Sequence, residues 1–279
     1  LHLLSQVIRC KAAVLWKPGA PLVIEEIEVA PPKAKEVRIK IVATESCGTD
    51  IKSVDTEYFS QFYPIIMGHE GNGIVESVGE DVSAVRTGDK VIMLCVPQCG
   101  ECGTCLNSKN KTHLTSEGTG RITCNGKLVR QYGTLGTLSE YTVLRDISVA
   151  KVDEGDSLEK ACIISCGFAT GYGAAINSVT PGSTCAVFGL GGVGLSVIIG
   201  CKAARIISVD INKDKFAKAR MVGATHCVDP RDLEKPIEEF LFDMLNGGAD
   251  FCLKSLETQK QWYVIIGSEN YQYITPVDA

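Results

Sequence analysis

The sequence predicts an α/β chain in two parts, a β-rich first half and a second half of βαβ units on a parallel sheet. Three observations predict it. In its first half the chain runs in short stretches of alternating apolar and polar residues separated by glycine turns, the pattern of a small, partly open barrel. Beyond about residue 171, β-branched runs alternate with apolar helical stretches, which argues for right-handed crossovers on a parallel sheet. At the head of that second half stands Gly189-Leu190-Gly191-Gly192-Val193-Gly194, a glycine turn directly after a strand-like run.

In order along the chain, Cys10 to Trp16 is a strand candidate, and Leu22 to Val29 alternates apolar with acidic residues. Glu36 to Ala43 alternates again after Pro31-Pro32. Gly73 to Val78 and Asp89 to Val96 are further strands, set apart by the turn signals Gly79-Glu80 and Thr87-Gly88-Asp89. Residues 99–126 form a polar excursion that opens on a cysteine cluster; a loop of that length needs a staple or a function. Then come a strand at Thr184 to Phe188, a helix at Val193 to Ala203, a strand at Arg205 to Asp210 and a helix at Lys213 to Met221 closed by Gly223. Cys227-Val228 reads as a short strand, Ile237 to Leu245 as an amphipathic helix and Asp250 to Leu253 as extended. The expected organisation is a first domain over 1–170, a second over 171–253 and a tail over 254–279.

Composition narrows the function. The chain is 45% hydrophobic and 22% charged, as globular domains are. A net charge of −5 offers no basic field for nucleic acid or an anionic membrane. No run approaches the roughly 20 apolar residues of a membrane span. Leu1 to Cys10 has no apolar run with a small-residue cleavage site, so no secretory signal is expected. Thirteen cysteines, an odd number, do not suggest a disulfide framework in a chain this long, and a reducing, cytosolic compartment is expected. Cys185, Cys201, Cys227 and Cys252 lie in apolar runs and read as small buried hydrophobes.

The glycine motif has the context that a dinucleotide fingerprint demands. It follows a strand and opens a helix, and Asp210 ends the next strand, 21 residues after Gly189. Gly189, Gly191 and Gly194 would allow a tight turn, close approach of backbone to pyrophosphate, and helix-to-strand packing. The helix N-terminus offers N–H donors to the phosphates. Asp210 would accept from a ribose 2′-hydroxyl and repel a 2′-phosphate, which favours NAD over NADP.

Cys47, His69, Glu70 and Cys166 form a second candidate set, in Cys47-Gly48-Thr49-Asp50, Gly68-His69-Glu70-Gly71 and Ser165-Cys166-Gly167. Two thiolates and an imidazole suit zinc, and three protein ligands leave a fourth position open. They share no compact spacing, however. By itself His69 is as readily a satisfied turn histidine, and Glu70 an ordinary surface acid.

Specific strings go further. Ile8-Arg9-Cys10-Lys11-Ala12-Ala13, Gly68-His69-Glu70-Gly71, Pro97-Gln98-Cys99-Gly100, Val187-Phe188-Gly189-Leu190-Gly191-Gly192-Val193-Gly194 and Val209-Asp210-Ile211-Asn212-Lys213-Asp214-Lys215-Phe216 resemble the zinc-dependent medium-chain alcohol dehydrogenases of vertebrate type, closest to the class V branch, from about Gln6 to Leu253. The resemblance implies a GroES-like catalytic domain followed by a Rossmann coenzyme domain. It implies Cys47, His69 and Cys166 as catalytic-zinc ligands, with Glu70 just behind the metal and Asp50 orienting the histidine. It implies Thr49 as the hydroxyl that passes the substrate proton on, Thr170 as a nicotinamide-side contact, and Asp210 and Lys215 as adenosine-ribose contacts. The implied activity is oxidation of an alcohol to an aldehyde or ketone, with hydride transfer to NAD.

The chain departs from the family pattern in several places. Lys52 stands where relatives often end the proton relay in histidine, Gly48 where many have an arginine against the pyrophosphate, and Cys95 where a substrate-pocket phenylalanine is usual. Cys99, Cys102 and Cys105 match three of four structural-zinc cysteines; His113 falls at the fourth ligand's offset from Cys105. The helix-to-strand turn at Ala203-Ala204-Arg205 is shortened, so that helix is expected to end a turn early. After Leu253 the match fails. Tyr263 to Gly267 resembles the family's next strand but stands too near Leu253 for a parallel crossover. An incomplete coenzyme sheet with an exposed edge is therefore expected, without the strand through which the family forms homodimers. The rival reading is a catalytically dead isoform that binds zinc and associates with full-length subunits. A glutathione-dependent formaldehyde dehydrogenase fits less well, since that sister class usually has histidine at the position of Gly48.

Overall fold

The computed structural model describes residues 6–54, 62–106, 119–255 and 271–273. The chain divides into two compact units, Leu1–Cys166 and Gly167–Ala279.

The first unit runs β1 (Ile8–Leu15), β2 (Val23–Val29), β3 (Glu36–Glu45), α1 (Gly48–Val54), β4 (Ile65–Ile66), β5 (Glu70–Val78), β6 (Lys90–Met93), β7 (Ile122–Cys124), β8 (Lys127–Leu128), β9 (Arg130–Gln131), β10 (Tyr141–Arg145), β11 (Val149–Lys151) and α2 (Leu158–Ala161). These strands form two sheets, ordered β8-β7-β2-β1-β4-β9 and β10-β3-β5-β6-β11. The alternation read from the sequence is the reason. In the second sheet Val37, Ile39, Val75, Val91, Met93 and Leu144 meet in one core, each worth about 1.5–3 kcal/mol of burial. In the first, Cys10, Ala12, Val14, Ile27 and Val29 do the same. Two differences from the sequence reading matter for function. β5 begins at Glu70 rather than Gly73, and β3 continues to Glu45 rather than Ala43, because the two strands pair to their ends, with Glu45 opposite Glu70. The helix α1 has no sequence forerunner, since its seven residues are too few to show a period.

The second unit runs α3 (Gly167–Ser178), β12 (Thr184–Phe188), α4 (Gly192–Gly200), β13 (Arg205–Val209), α5 (Phe216–Met221), β14 (His226–Val228), α6 (Ile237–Met244), β15 (Phe251–Lys254) and β16 (Tyr271–Tyr273). The strands form one sheet, β14-β13-β12-β15-β16, with every pair parallel. This is the 3-2-1-4-5 part of the dinucleotide-binding order. Val187, Leu190, Val197, Ile206 and Leu253 lie on one face, and Ala186, Ile207, Ile237 and Leu241 on the other. Burial on both faces explains why these strands read as continuous apolar runs.

Helix α4 ends at Gly200, about a turn short of Ala203, as the shortened helix-to-strand turn leads one to expect. Cys201 is already extended, because Lys202–Ala204 pair with the residues just before β12: Gly182 donates to Lys202 O and Ala204 to Ser183 O. The sheet edge expected at β15 lies one strand further out, at β16. β16 pairs along β15, with Cys252 opposite Tyr271. Residues 255–270 lie between these strands, which exceeds the dozen or so that a parallel crossover needs. The strand expected at Tyr263 to Gly267 lies outside the described residues. No helix among the described residues is long and apolar enough to cross a membrane.

Candidate metal centre and coenzyme fingerprint

The β3–β5 pair builds the first site. With Glu45 opposite Glu70, Cys47 lies two residues past one strand end and His69 one residue before the other, so both emerge on the same side. Gly68 holds a positive φ of +93°, and a Cβ there would meet Thr137 Oγ1 at 2.5 Å, so only glycine suits the turn that aims His69. The backbone of Thr137 and Leu138 braces the same turn, donating to Gly68 O at 3.0 Å and Met67 O at 2.9 Å. Cys166 arrives at the end of a 3₁₀ turn, Cys162–Ser165, that packs on β5. The donor atoms of Cys47, His69 and Cys166 all lie within 4.8 Å of one another.

Asp50 organises this set. It sits in the first turn of α1, where Oδ2 accepts from the Cys47 N–H at 3.2 Å. This is the reach-back of a helix capping box. Its Oδ1 accepts from the Gly68 N–H at 3.1 Å and lies 3.0 Å from His69 Nδ1. One buried carboxylate thus touches both ligand-bearing segments. It fixes the imidazole with Nδ1 toward the acid and Nε2 toward the sulfurs, the arrangement that orients metal-binding histidines.

The charges fit a cation. Cys47 is pushed down to about 3, first by the hydrogen bond from the Cys166 thiol and then, against burial, by His69 and Thr49. Burial opposes charge on His69, but the Asp50 carboxylate and the Cys47 sulfur push it up to about 10. Cys166 is driven up by the neighbouring Cys47 and Cys95 sulfurs and by burial. Two sulfurs this close, one buried and one partly so, cannot both ionise readily unless a cation joins them. Geometry agrees: Cys166 Sγ lies 3.4 Å from His69 Nε2, against roughly 3.5 Å for a sulfur and a nitrogen on one tetrahedral zinc. A Cys₂His set with an outer carboxylate fits zinc.

Four other expected residues fall around this centre. Thr49 Oγ1 is 3.6 Å from Cys47 Sγ. Cys95, half-buried, lies 4.0 Å from Ser165 O, next to Cys166. Glu70 is buried at 3% exposure but is not among the converging donors. Lys52 is exposed on α1. Two residues that sequence reading passes over also touch the site. Ser53 follows Asp50 by one helical turn, which is the signal that could have found it. Tyr132 packs edge-on against His69 and has no local signal.

Cys99, Cys102 and Cys105 converge as a second set within 4.8 Å. Cys99 and Cys105 sulfurs stand 3.7 Å apart, close to the roughly 3.8 Å edge of a zinc–sulfur tetrahedron. The Cys102 and Cys105 N–H groups donate to the preceding sulfurs at 3.3 and 3.4 Å. All three residues are partly exposed. His113, the expected fourth ligand, lies outside the described residues.

In the second unit the glycine motif forms the turn from β12 into α4. Gly194 has no room for a side chain, since a Cβ would lie 1.8 Å from Gly189 O. Around Gly191, by contrast, the space is open. Asp210 closes the site behind the turn: Oδ2 accepts from Leu190 N–H at 2.7 Å and Oδ1 from Asn212 N–H at 2.8 Å. Lys215 Nζ bonds Asp210 at 3.0 Å. Burial works against its charge, but these donors hold its carboxyl below the usual range. Ser255, just past β15, donates to Phe188 O from its backbone N–H, and its hydroxyl lies 2.8 Å from Gly189 O. Thr170 lies on α3. The turn, the open approach at Gly191 and the acid at the end of β13 fit a dinucleotide.

A sheet order of 3-2-1-4-5 joined in one chain to a two-sheet unit holding a Cys₂His centre defines a class, and comparison with known proteins gives the same class. Residues 33–154 match the alcohol dehydrogenase GroES-like domain. The chain is 76% identical over 264 residues to alcohol dehydrogenase 6 of Rattus norvegicus, covering 90% of this chain and 70% of that protein. It is 72% identical to alcohol dehydrogenase 6 of Peromyscus maniculatus, with the same coverage. Among solved structures, benzyl alcohol dehydrogenase from Acinetobacter calcoaceticus matches with a TM-score of 0.76 at 30% identity, covering 90% of this chain and 71% of that one. An alcohol dehydrogenase zinc-binding domain protein from Burkholderia ambifaria matches with a TM-score of 0.76 at 29% identity, covering 91% and 72%. The chain belongs to the zinc-dependent medium-chain alcohol dehydrogenases, in their vertebrate, class V-like branch.

Proposed function

We propose that the protein oxidises alcohols to aldehydes or ketones, with zinc held by Cys47, His69 and Cys166 and NAD as the hydride acceptor. The convergence of these three donors, with Asp50 on the far side of the His69 ring, carries the reading. Zinc supplies a Lewis acid that makes the alcohol hydroxyl acidic, and NAD supplies the hydride acceptor. The chain's own residues do the rest. Asp50 keeps His69 Nε2 turned toward the sulfurs. Thr49, beside Cys47, would accept the hydroxyl proton while releasing its own toward the coenzyme ribose and solvent. The Gly189–Gly194 turn offers backbone N–H groups to the pyrophosphate, and Asp210 with Lys215 takes the adenosine ribose. Cys99, Cys102 and Cys105 would supply three ligands to a structural zinc. The proposed compartment is the cytosol.

Cys95 sets the substrate class in this reading. A thiol is smaller than the phenylalanine usual in the family, so a bulky alcohol such as benzyl alcohol should be preferred to ethanol. The test is NADH formation by zinc-loaded protein on both alcohols, with Cys47→Ser and Cys95→Phe variants. We expect no turnover in Cys47→Ser and a reduced preference for benzyl alcohol in Cys95→Phe. Wild-type protein that holds zinc and NAD yet oxidises neither alcohol would favour the non-catalytic reading.

A further inference from the structure

We propose that Tyr132 and Ser53 are positioning residues for the zinc-binding imidazole of His69; this rests on the metal reading above. The Asp50 bond meets the ring at one atom, Nδ1. The side-chain bond to the backbone and the Asp50 hydrogen bond restrain the ring at one end, and a contact on the ring itself narrows the remaining libration that would move Nε2. Tyr132 supplies that contact. Its ring centroid lies 5.6 Å from that of His69 at an interplanar angle of 67°, the edge-to-face geometry that aromatic rings favour.

Tyr132 is itself held from two sides. Its backbone carbonyl accepts from the Leu135 and Gly136 N–H groups at 3.0 and 3.1 Å, locking the turn. Its hydroxyl pairs with Ser53 Oγ at 2.7 Å in a buried contact. Ser53 and Asp50 are both 6% exposed on α1, three residues apart and so on one helical face. One short helix thus steers the imidazole twice, directly through Asp50 and indirectly through Ser53 and Tyr132. Packing alone does not require this pair. Phenylalanine and alanine would fill the space with no hydroxyl to satisfy, whereas a buried hydroxyl without a partner is costly. The pair fixes a direction.

The experiment uses the full chain loaded with zinc, and separately with cobalt, in wild type, Tyr132→Phe, Ser53→Ala and the double variant. Transfer of metal from the Cys47–His69–Cys166 centre to excess chelator gives one readout, with the second cluster's metal identified by a Cys102→Ser variant. The visible cobalt bands, which follow ligand geometry, give the other. We expect each single variant to release metal about 5- to 10-fold faster, with shifted cobalt bands. The double variant should be no faster than either single, because both remove the same bond. Wild-type release and unshifted bands in Tyr132→Phe overturn the proposal; if that variant fails to fold, Ser53→Ala decides on the same terms. A wild-type zinc content that Cys47→Ser leaves unchanged overturns the metal reading itself, so the two failures are distinct.

Discussion

The two cysteine clusters are assembled by different logic. Cys99, Cys102 and Cys105 come from seven consecutive residues, are partly exposed, and are tuned by N–H groups of their own loop. Cys47, His69 and Cys166 come from three distant segments, and His69 and Cys166 are buried. Their charges are set by one another and by Asp50. A local cluster needs little from the fold. The assembled one exists only because the β3–β5 register, α1 and the Cys162–Ser165 turn meet, and that dependence places its chemistry under the control of side chains that touch no metal.

The sharpest way to break the contrast is to remove one donor from each cluster. Cys47→Ser should lower turnover on the order of 10³-fold or more, since the Lewis acid is worth several kcal/mol; steady-state kinetics on the folded variant check this. The pH dependence of zinc binding at the buried centre should come next in size. Near neutral pH His69, raised to about 10, and Cys166, also raised, carry protons, while Cys47, lowered to about 3, does not. Binding should therefore expel about two protons, and affinity should climb about 100-fold per pH unit between pH 6 and 8. Calorimetry in buffers of different ionisation enthalpy measures the proton count; a count near zero would mean that the donors have already lost their protons. Asp50→Ala should cost about 10- to 100-fold in zinc affinity there, read by competition with a chromogenic chelator, and should leave zinc at the Cys99–Cys105 loop unchanged. The smallest effect belongs to Cys102→Ser, which should strip the exposed loop of metal and lower the melting temperature by a few degrees while changing turnover about twofold at most.

The second unit can be broken in a similar way. Asp210 is held below the usual carboxylate range, so the stability it contributes is present above its unfolded value and lost as the solution is acidified through its lower folded one. It ties the turn at Leu190 to Asn212 and Lys215. Asp210→Asn should weaken NAD binding about tenfold, measured by NADH fluorescence titration, and narrow the preference over NADP.

The sequence alone determined the alternating strands of the first unit and the strand–turn–helix of the second, because period and glycine placement are local properties. It also nominated the residues expected to bear the chemistry: the strings around His69 and Gly189 resemble a family, and that resemblance implies Cys47 and Cys166 as their partners. Tertiary structure decided that Cys166 meets His69 across 97 positions, that α1 lies beneath the histidine, and that Ser53 and Tyr132 pair behind it. It decided too that a strand at Tyr271–Tyr273 pairs beside β15. None of these follows from spacing, because each depends on backbone atoms far apart in sequence satisfying one another's hydrogen bonds, and that pairing exists only once the sheets have formed.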